Sequence, residues 1–430
     1  MLILTACGPR TGPYETAERP KTDGYLSAVP AGHTTYSNDS LAEIFTKLTQ
    51  FYENGGRAPG VYRFEGPVTV DMTGPGSDKY GAFLEQVITQ IRNETGIDLS
   101  RGKGPANILI RFVPGEEFLP QTVNQCVIIT GQPDWQAFVQ APGAYTLPGK
   151  DAPLVMSREG VLIPDTIEPF KVRQCILEEL VQSLGTSNDL FGLSSTMFND
   201  DQAHYWPTKL DYLMLRVLYD PEMEPSRDLG ENQQRARKVL ARLNPEGETA
   251  DKLPPVRLHA FRNWRSRLRE LSEDDITPAR SFALASELAI EARRRAGGSA
   301  YDCLGQTTLA YAAYGAEEAG VLAMFDRAID VCSAAHGPRD IRIAGLRLGR
   351  AYVDYDQEKY RKARDTARAV LPDLKAHGHD DRIAAALILE TVASIYLEDA
   401  NWVDTYLPRA EAWAAYTFGD DNDLTLDLRR

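Results

Sequence analysis

The sequence predicts two folds in one chain: an α+β domain over residues 38–232 and an all-α domain of helical repeats over residues 257–430. Three observations carry this. Up to about residue 229 the apolar pattern switches between the helical and the strand period. Beyond Leu258 it is purely helical and rich in Ala. Between the two, residues 233–256 are polar and end in "KLPPV", which reads as a connection.

The elements follow in order. Leu41, Ile44, Phe45, Leu48 and Phe51 mark an amphipathic helix. "VYRFEGPVTVDM" alternates as a strand, and "KYGAFLEQVITQIRNETG" returns to the helical period and stops at Gly96. "ANILIRFVP", "QCVIITG" and "GVLIPD" are three further strand-like runs, the last assigned to the edge of the sheet. A helix from Pro169 to about Leu184 comes next. The domain closes with a helix in "YWPTKLDYLMLRVLY", capped at Thr208 with Asp211 in its first turn. The second domain then holds three helical pairs. Their first helices superpose at Ala310-Tyr311, Ala351-Tyr352 and Ile395-Tyr396. Small Ala and Gly let such helices approach while Tyr fills the gaps.

Composition narrows the partners. The 430 residues carry a net charge of −14, with a pI near 5.1 and a mean hydropathy of −0.35. Nucleic acid needs a basic footprint, which this chain lacks. No run of about 18 or more apolar residues exists, so no transmembrane helix is expected. An acidic chain also gains nothing at an anionic surface, which leaves membrane attachment to a covalent lipid or a partner.

"LTACG" at Leu4–Gly8 resembles a bacterial lipobox, in which the lipid is attached to the cysteine, here Cys7. Only six residues precede it, fewer than the basic and apolar regions of a signal peptide require. Residues 1–7 thus read as a signal remnant, and residues 8–37, rich in Pro, Gly, Thr and charge, as a flexible tether. The alternative is a cysteine placed there by chance. The other four cysteines fall two to a domain: Cys126 and Cys175, then Cys303 and Cys332. Two intradomain disulfides in an oxidising compartment would require that division; four buried thiols are the alternative.

The chemistry centres on "EELVQSLGTSND", Glu178 to Asp189. Zincin peptidases carry His-Glu-x-x-His on a helix, and their metzincin branch adds x-x-Gly-x-x-His or Asp. Here those places hold Glu178, Glu179, Gln182, Gly185 and Asn188. The general base and the glycine are present, but every metal-ligand position has changed. Met197 in "SSTMFND" falls where metzincins place their Met-turn methionine, and "LDYLMLRVLYDP" resembles the closing helix of matrixin-like peptidases.

On Cys175, "EELVQSLG", Asn188-Asp189, "MFND" and "LDYLMLRVLYDP", the segment from about Asn38 to Asp228 resembles a proteobacterial family known as domain of unknown function 2927, which includes lipoproteins. The resemblance implies a degenerate zincin-like fold and a cell-envelope setting, and assigns no reaction. In the second domain, Leu348-Gly349-x-x-Tyr352 and Tyr360-x-x-Ala363-x-x-x-Ala367 resemble a tetratricopeptide repeat, with a spacing longer than its ~34 residues.

Catalytic zinc takes three protein ligands and leaves a place for water. Glu178, Gln182 and Asn188 would offer one carboxylate and two amides, a hard and weak set better suited to Ca²⁺ or Mg²⁺. Without a metal, Glu179 has no activated water to deprotonate. His204 is the one histidine in the first domain outside the tether, and it reads as a surface or capping residue. "HGH" at His377–His379 reads as a helix end with Gly378 in a left-handed turn.

The expectation is therefore a periplasm-facing lipoprotein, placed at the outer membrane by Gly8 after the cysteine. It carries a catalytically inactive metallopeptidase-like domain and a helical-repeat interaction domain. Expected partners are proteins or peptides, the membrane is reached through the N-terminal lipid only, and no cofactor or metal is expected. The competing readings are an active hydrolase using a non-zinc metal or carboxylates around Glu179, and a plain helical-repeat adaptor with the first domain as a spacer.

Overall fold

A computed structural model of the chain describes residues 36–52, 56–102, 104–118, 126–132, 134–141, 150–190, 193–199, 203–251, 262–272, 276–420 and 422–423. Cys7 and most of the expected tether lie outside them, as do residues 252–261. The described residues divide into two compact units, 36–251 and the helical 262–423.

The first unit begins with α1 (Asn38–Gln50), whose Ser37 side chain accepts from Ser40 N. Strands β1 (Arg63–Phe64) and β2 (Val68–Thr73) lead to α2 (Gly81–Thr95). Then come β3 (Leu99–Arg101), β4 (Ile108–Val113), the single turn α3 (Gly115–Phe118), β5 (Val127–Thr130) and α4 (Trp135–Gln140). β6 (Val155–Met156) and β7 (Glu159–Pro164) precede α5 (Pro169–Gln182), α6 (Lys209–Leu218) and α7 (Leu229–Leu243).

Five strands form one sheet in the order β3-β2-β4-β7-β5; all run parallel except β5, which is antiparallel to β7. β1 and β6 make a separate short parallel pair. "GVLIPD" is therefore not the edge strand that its sequence suggested: β7 lies between β4 and β5, and all six of its residues are buried. The physical reason is visible in the run itself. A continuous apolar stretch marks a strand covered on both faces, whereas an edge strand tolerates polar positions. The edges are β3 and β5.

The expected connection at 233–256 also differs. Its first part is helical, within α7, which packs on α1. Ala236, Val239 and Leu240 bury the apolar stripe of an otherwise polar helix. Its end is locked by a buried asparagine pair. Asn38 Nδ2 donates to Asn244 O at 3.0 Å, and Asn244 Nδ2 donates back to Asn38 Oδ1 at 3.0 Å. Polar composition misled the reading because an amphipathic helix needs only a narrow apolar stripe to be held.

The second unit contains α8 (Arg262–Arg269), α9 (Pro278–Ala296), α10 (Ala300–Gly315), α11 (Val321–His336), α12 (Ile341–Asp356), α13 (Tyr360–Ala376), α14 (Asp380–Tyr396) and α15 (Ala400–Phe418). Helices α10 to α15 form three pairs with one recurring turn. Glu317, Glu358 and Glu398 all take positive φ, 41 and then 40 residues apart. Each is flanked by the same three backbone bonds. For the second pair these are Gln357 N to Val353 O, Glu358 N to Tyr355 O and Lys359 N to Asp354 O. Gly337, Gly378 and Gly419, also with positive φ, close α11, α13 and α15 at intervals of 41. The reading of "HGH" as a helix end holds.

This turn corrects the superposition of the third pair. The equivalent of Tyr352 in α14 is Val392, and Tyr396 is the last residue of α14, one turn further on. There it stacks on Tyr360, with centroids 4.6 Å apart. Close approach of the pairs needs Gly349, where a Cβ would meet Phe325 Cε1 at 2.6 Å and Tyr311 Cε1 at 2.9 Å. Tyr311 then donates to Gly345 O and Tyr352 to Ala385 O, each at 2.9 Å.

Two disulfides staple the units separately: Cys126 to Cys175, and Cys303 to Cys332.

Candidate functional site

The described residues between Glu178 and Met197 are mostly buried. Pro169 opens α5 at its first helical position, where its missing N–H costs nothing. The helix is then buried on most of its circumference, by Val172, Cys175, Ile176, Leu177, Leu180 and Val181. It packs against α2 and β7. Glu179 and Gln182 lie on this buried helix at 8% and 9% exposure, while Glu178 is half-buried. Adjacent helical positions point about 100° apart. The two glutamates accordingly sit in different environments.

The helix ends in a tightened turn, with Ser183 N bonding Glu179 O at 2.8 Å and Gly185 N bonding Gln182 O at 2.8 Å. Gly185 is needed twice over. Its φ is +115°, and a Cβ would lie 2.7 Å from Tyr62 O. Tyr219, just past α6, donates its hydroxyl to Leu184 O at 3.0 Å, fixing the same turn from the other side.

Asn188 is 2% exposed, and its Nδ2 donates to Lys47 O on α1 at 2.9 Å. Asn188 is thus a tie between the turn after α5 and α1. Its Oδ1 is the one acceptor left for anything else. Among the described residues no three His, Cys, Asp or Glu side chains are grouped as a metal ion would need. His204 bonds through Nε2 to Ser194 O at 3.0 Å.

Met197 is buried in a turn latched to α6 through Asp211. Asp211 accepts from Met197 N at 3.1 Å, from Thr208 N at 2.7 Å, from Thr208 Oγ1 at 3.0 Å and from Thr196 Oγ1. The cap foreseen at Thr208 is therefore also the anchor of the methionine turn. Burial pushes the Asp211 carboxyl up, and these hydrogen bonds pull it back toward the ionised form.

One buried acid was not foreseen. Glu159 begins β7 at 4% exposure; its Oε2 has no hydrogen-bond partner among the described residues. Desolvation pushes its carboxyl up to about 8. The phenols of Tyr52 and Tyr62 interact with it electrostatically, and burial pushes Tyr62 itself up to about 12. Only its place at the head of an apolar run, "EGVLIP", could have signalled this; a glutamate there reads as a strand end.

These features define an α/β domain on a mostly parallel sheet, crossed by a buried helix that carries a Glu-Glu-x-x-Gln segment into a glycine turn. Residues 38–242 match the family described as "Protein of unknown function (DUF2927)". No curated protein and no solved structure matches the chain. Among the described residues no helix is long and apolar enough to cross a membrane.

Proposed function

We propose that the chain is a cell-envelope lipoprotein whose first unit is a zincin-like domain that no longer catalyses and instead binds peptide or protein partners. The helical unit, read as tetratricopeptide-like, acts as a second interaction module. The observation that carries this is Asn188: the side chain at the third ligand position ties the Lys47 carbonyl through its amide nitrogen and leaves only a neutral amide oxygen where a zincin has a histidine. An amide used as a structural tie is a poor substitute for a histidine ligand, and Gln182 adds no charge to Glu178.

The order of elements supports the zincin-like reading. A helix packed on the sheet runs into the Gly185 turn, then a buried Met197 turn, then α6. With β7 interior, β5 becomes the candidate strand for an extended peptide to pair with, a mode of binding that needs no metal. The two disulfides suit an oxidising compartment. The three recurring turns support the helical-repeat reading, at a period near 41.

The test is metal analysis of the purified full chain with Glu178→Ala and Glu179→Gln beside it. We expect no stoichiometric metal in any of them. A stoichiometric metal lost in Glu178→Ala, or a peptidase activity abolished by Glu179→Gln, would overturn the reading. Palmitate labelling that persists in Cys7→Ala would remove the lipoprotein part alone.

A further inference from the structure

The helical unit contains a polar arrangement that its own packing leaves unused. Glu390 sits mid-way along α14 at 1% exposure, and its Oε1 has no hydrogen-bond partner among the described residues. Four cations act on it electrostatically from both neighbouring helices: Arg364, Arg368 and Lys375 on α13, and Arg409 on α15. Arg364 is engaged elsewhere, with Asp399 at 3.1 Å and Asp365 at 3.6 Å. Among the described residues, Arg368, Lys375 and Arg409 have no ion-pair partner. Trp402 of α15 joins the same group: the guanidinium carbons of Arg364 and Arg368 lie 5.1 and 4.7 Å from its ring centroid. Its indole N–H is buried and has no acceptor among the described residues.

Hydrogen-bond donors around Glu390 therefore outnumber their partners among the described residues, and they come from two helices. Arg368 and Lys375 come from α13, and Arg409 and the Trp402 N–H from α15, with Glu390 as the floor. An unmet buried donor or acceptor is costly, so such a group is completed by water or by a ligand. Donors arriving from opposite sides suit a tetrahedral oxyanion better than a flat carboxylate, which prefers one bidentate guanidinium. Burial pushes the Glu390 carboxyl up, against the opposing pull of Arg368, Arg409, Arg364 and Lys375. Burial and then Arg409 hold Lys375 below its usual range, against the opposing pull of Glu390.

We propose that the crevice between α13 and α15, floored by Glu390, binds an oxyanion of the phosphate type. Calorimetric titration of the full chain with inorganic phosphate at low ionic strength tests this. The expected result is saturable binding at one site, weakened at least tenfold in the Arg368→Gln/Arg409→Gln double variant and a few-fold in Trp402→Phe. Arg368 is exposed and Arg409 half-buried, and neither holds an ion pair, so the double variant should keep the wild-type circular dichroism. Glu390→Gln, which offers a donor, should bind phosphate at least as tightly as wild type. A second titration with O-phosphoethanolamine separates two sources: equal affinity points to a lipid headgroup, weaker affinity to free phosphate, and either supports the site. Absence of saturable binding, unchanged affinity in the double variant, or a preference for glutarate over phosphate would overturn the proposal.

Discussion

In the α/β unit the contacts that close the fold occur once each and join distant parts of the chain; in the helical unit the same contacts recur every 40 or 41 residues. Asn38 and Asn244, 206 residues apart, exchange two hydrogen bonds that have no counterpart among the other described residues. Arg63 on β1 donates to the carbonyls of Leu218 and Asp220 at the end of α6, again a single event. By contrast, the turn at Glu317 returns at Glu358 and Glu398, and the Tyr311 bond returns at Tyr352. Unique long-range ties make a unit cooperative and intolerant of single changes. Repeated local ties spread stability over neighbours, so each one matters less.

The disulfides test this difference most strongly. Cys126–Cys175 spans 49 residues and Cys303–Cys332 spans 29. Loop-closure entropy alone assigns them about 4 and about 3.6 kcal/mol. We expect two calorimetric transitions, with Cys126→Ala/Cys175→Ala lowering one and Cys303→Ala/Cys332→Ala the other. A single transition lowered by both pairs would mean that the units do not unfold separately.

Asp211 comes next. Its carboxylate gathers four donors in a buried place, holding the Met197 turn to α6. Replacing it by Ala leaves those donors unmet, and we expect a loss of at least about 3 kcal/mol confined to the α/β transition. Urea melts followed by near-ultraviolet dichroism would show it. A loss below about 1 kcal/mol would mean that water or a neighbour satisfies the turn.

Glu159 makes the contrast depend on pH. Its folded-state value of about 8 lies above the ordinary 4.5, so the folded form holds the proton more tightly than the unfolded form. Its stabilising contribution is complete below about 4.5 and is lost as pH rises through 8, at up to about 1.4 kcal/mol per pH unit. Thermal melts between pH 5 and pH 8.5 should show the α/β unit weakening with rising pH. Glu159→Gln should flatten that slope while Tyr52 and Tyr62, the phenols beside it, stay protonated. An unchanged slope in Glu159→Gln would place the titration elsewhere.

Legibility in the sequence followed the same division. Period and breakers were enough to delimit α2 at Gly96 and to foresee the helix end at Gly378, because those signals act within a few residues. The cap of α6 was legible for the same reason. The position of β7 was not read correctly, although its unbroken apolar run carried the information. Strand order is a long-range property, and a short apolar run alone does not name its neighbours. α7 was missed because four buried residues in fifteen hold it, among many charges. In the candidate site, the helix from Pro169 and its end close to Leu184 were legible. The Asn188–Lys47 tie and the unpaired Glu159 were not, since each depends on a partner far away in sequence. The third repeat was misaligned because tyrosine, present 19 times, is a poor marker. The backbone turn that sets the register uses glutamate with positive φ, a residue that carries no turn signal.

The smallest effects separate unique from repeated ties most directly. Tyr352 donates to Ala385 O in the interior of α14, a carbonyl that the helix ladder already engages. Tyr352→Phe should therefore cost only about 0.5–1 kcal/mol, and Tyr311→Phe about the same, since Gly345 O is equally interior to α12. Tyr219 donates to Leu184 O, which lies past the end of α5 and outside its ladder. Removing that hydroxyl strands a buried carbonyl, so Tyr219→Phe should cost more, about 1–3 kcal/mol. The double variant Tyr311→Phe/Tyr352→Phe sharpens the comparison further. The two bonds lie in successive repeats and share α12, so additivity within about 0.5 kcal/mol would show that each tie acts between its own neighbours. A clear excess over the sum would mean that the three pairs fold as one cooperative block, and the contrast with the α/β unit would then lie in sequence pattern alone.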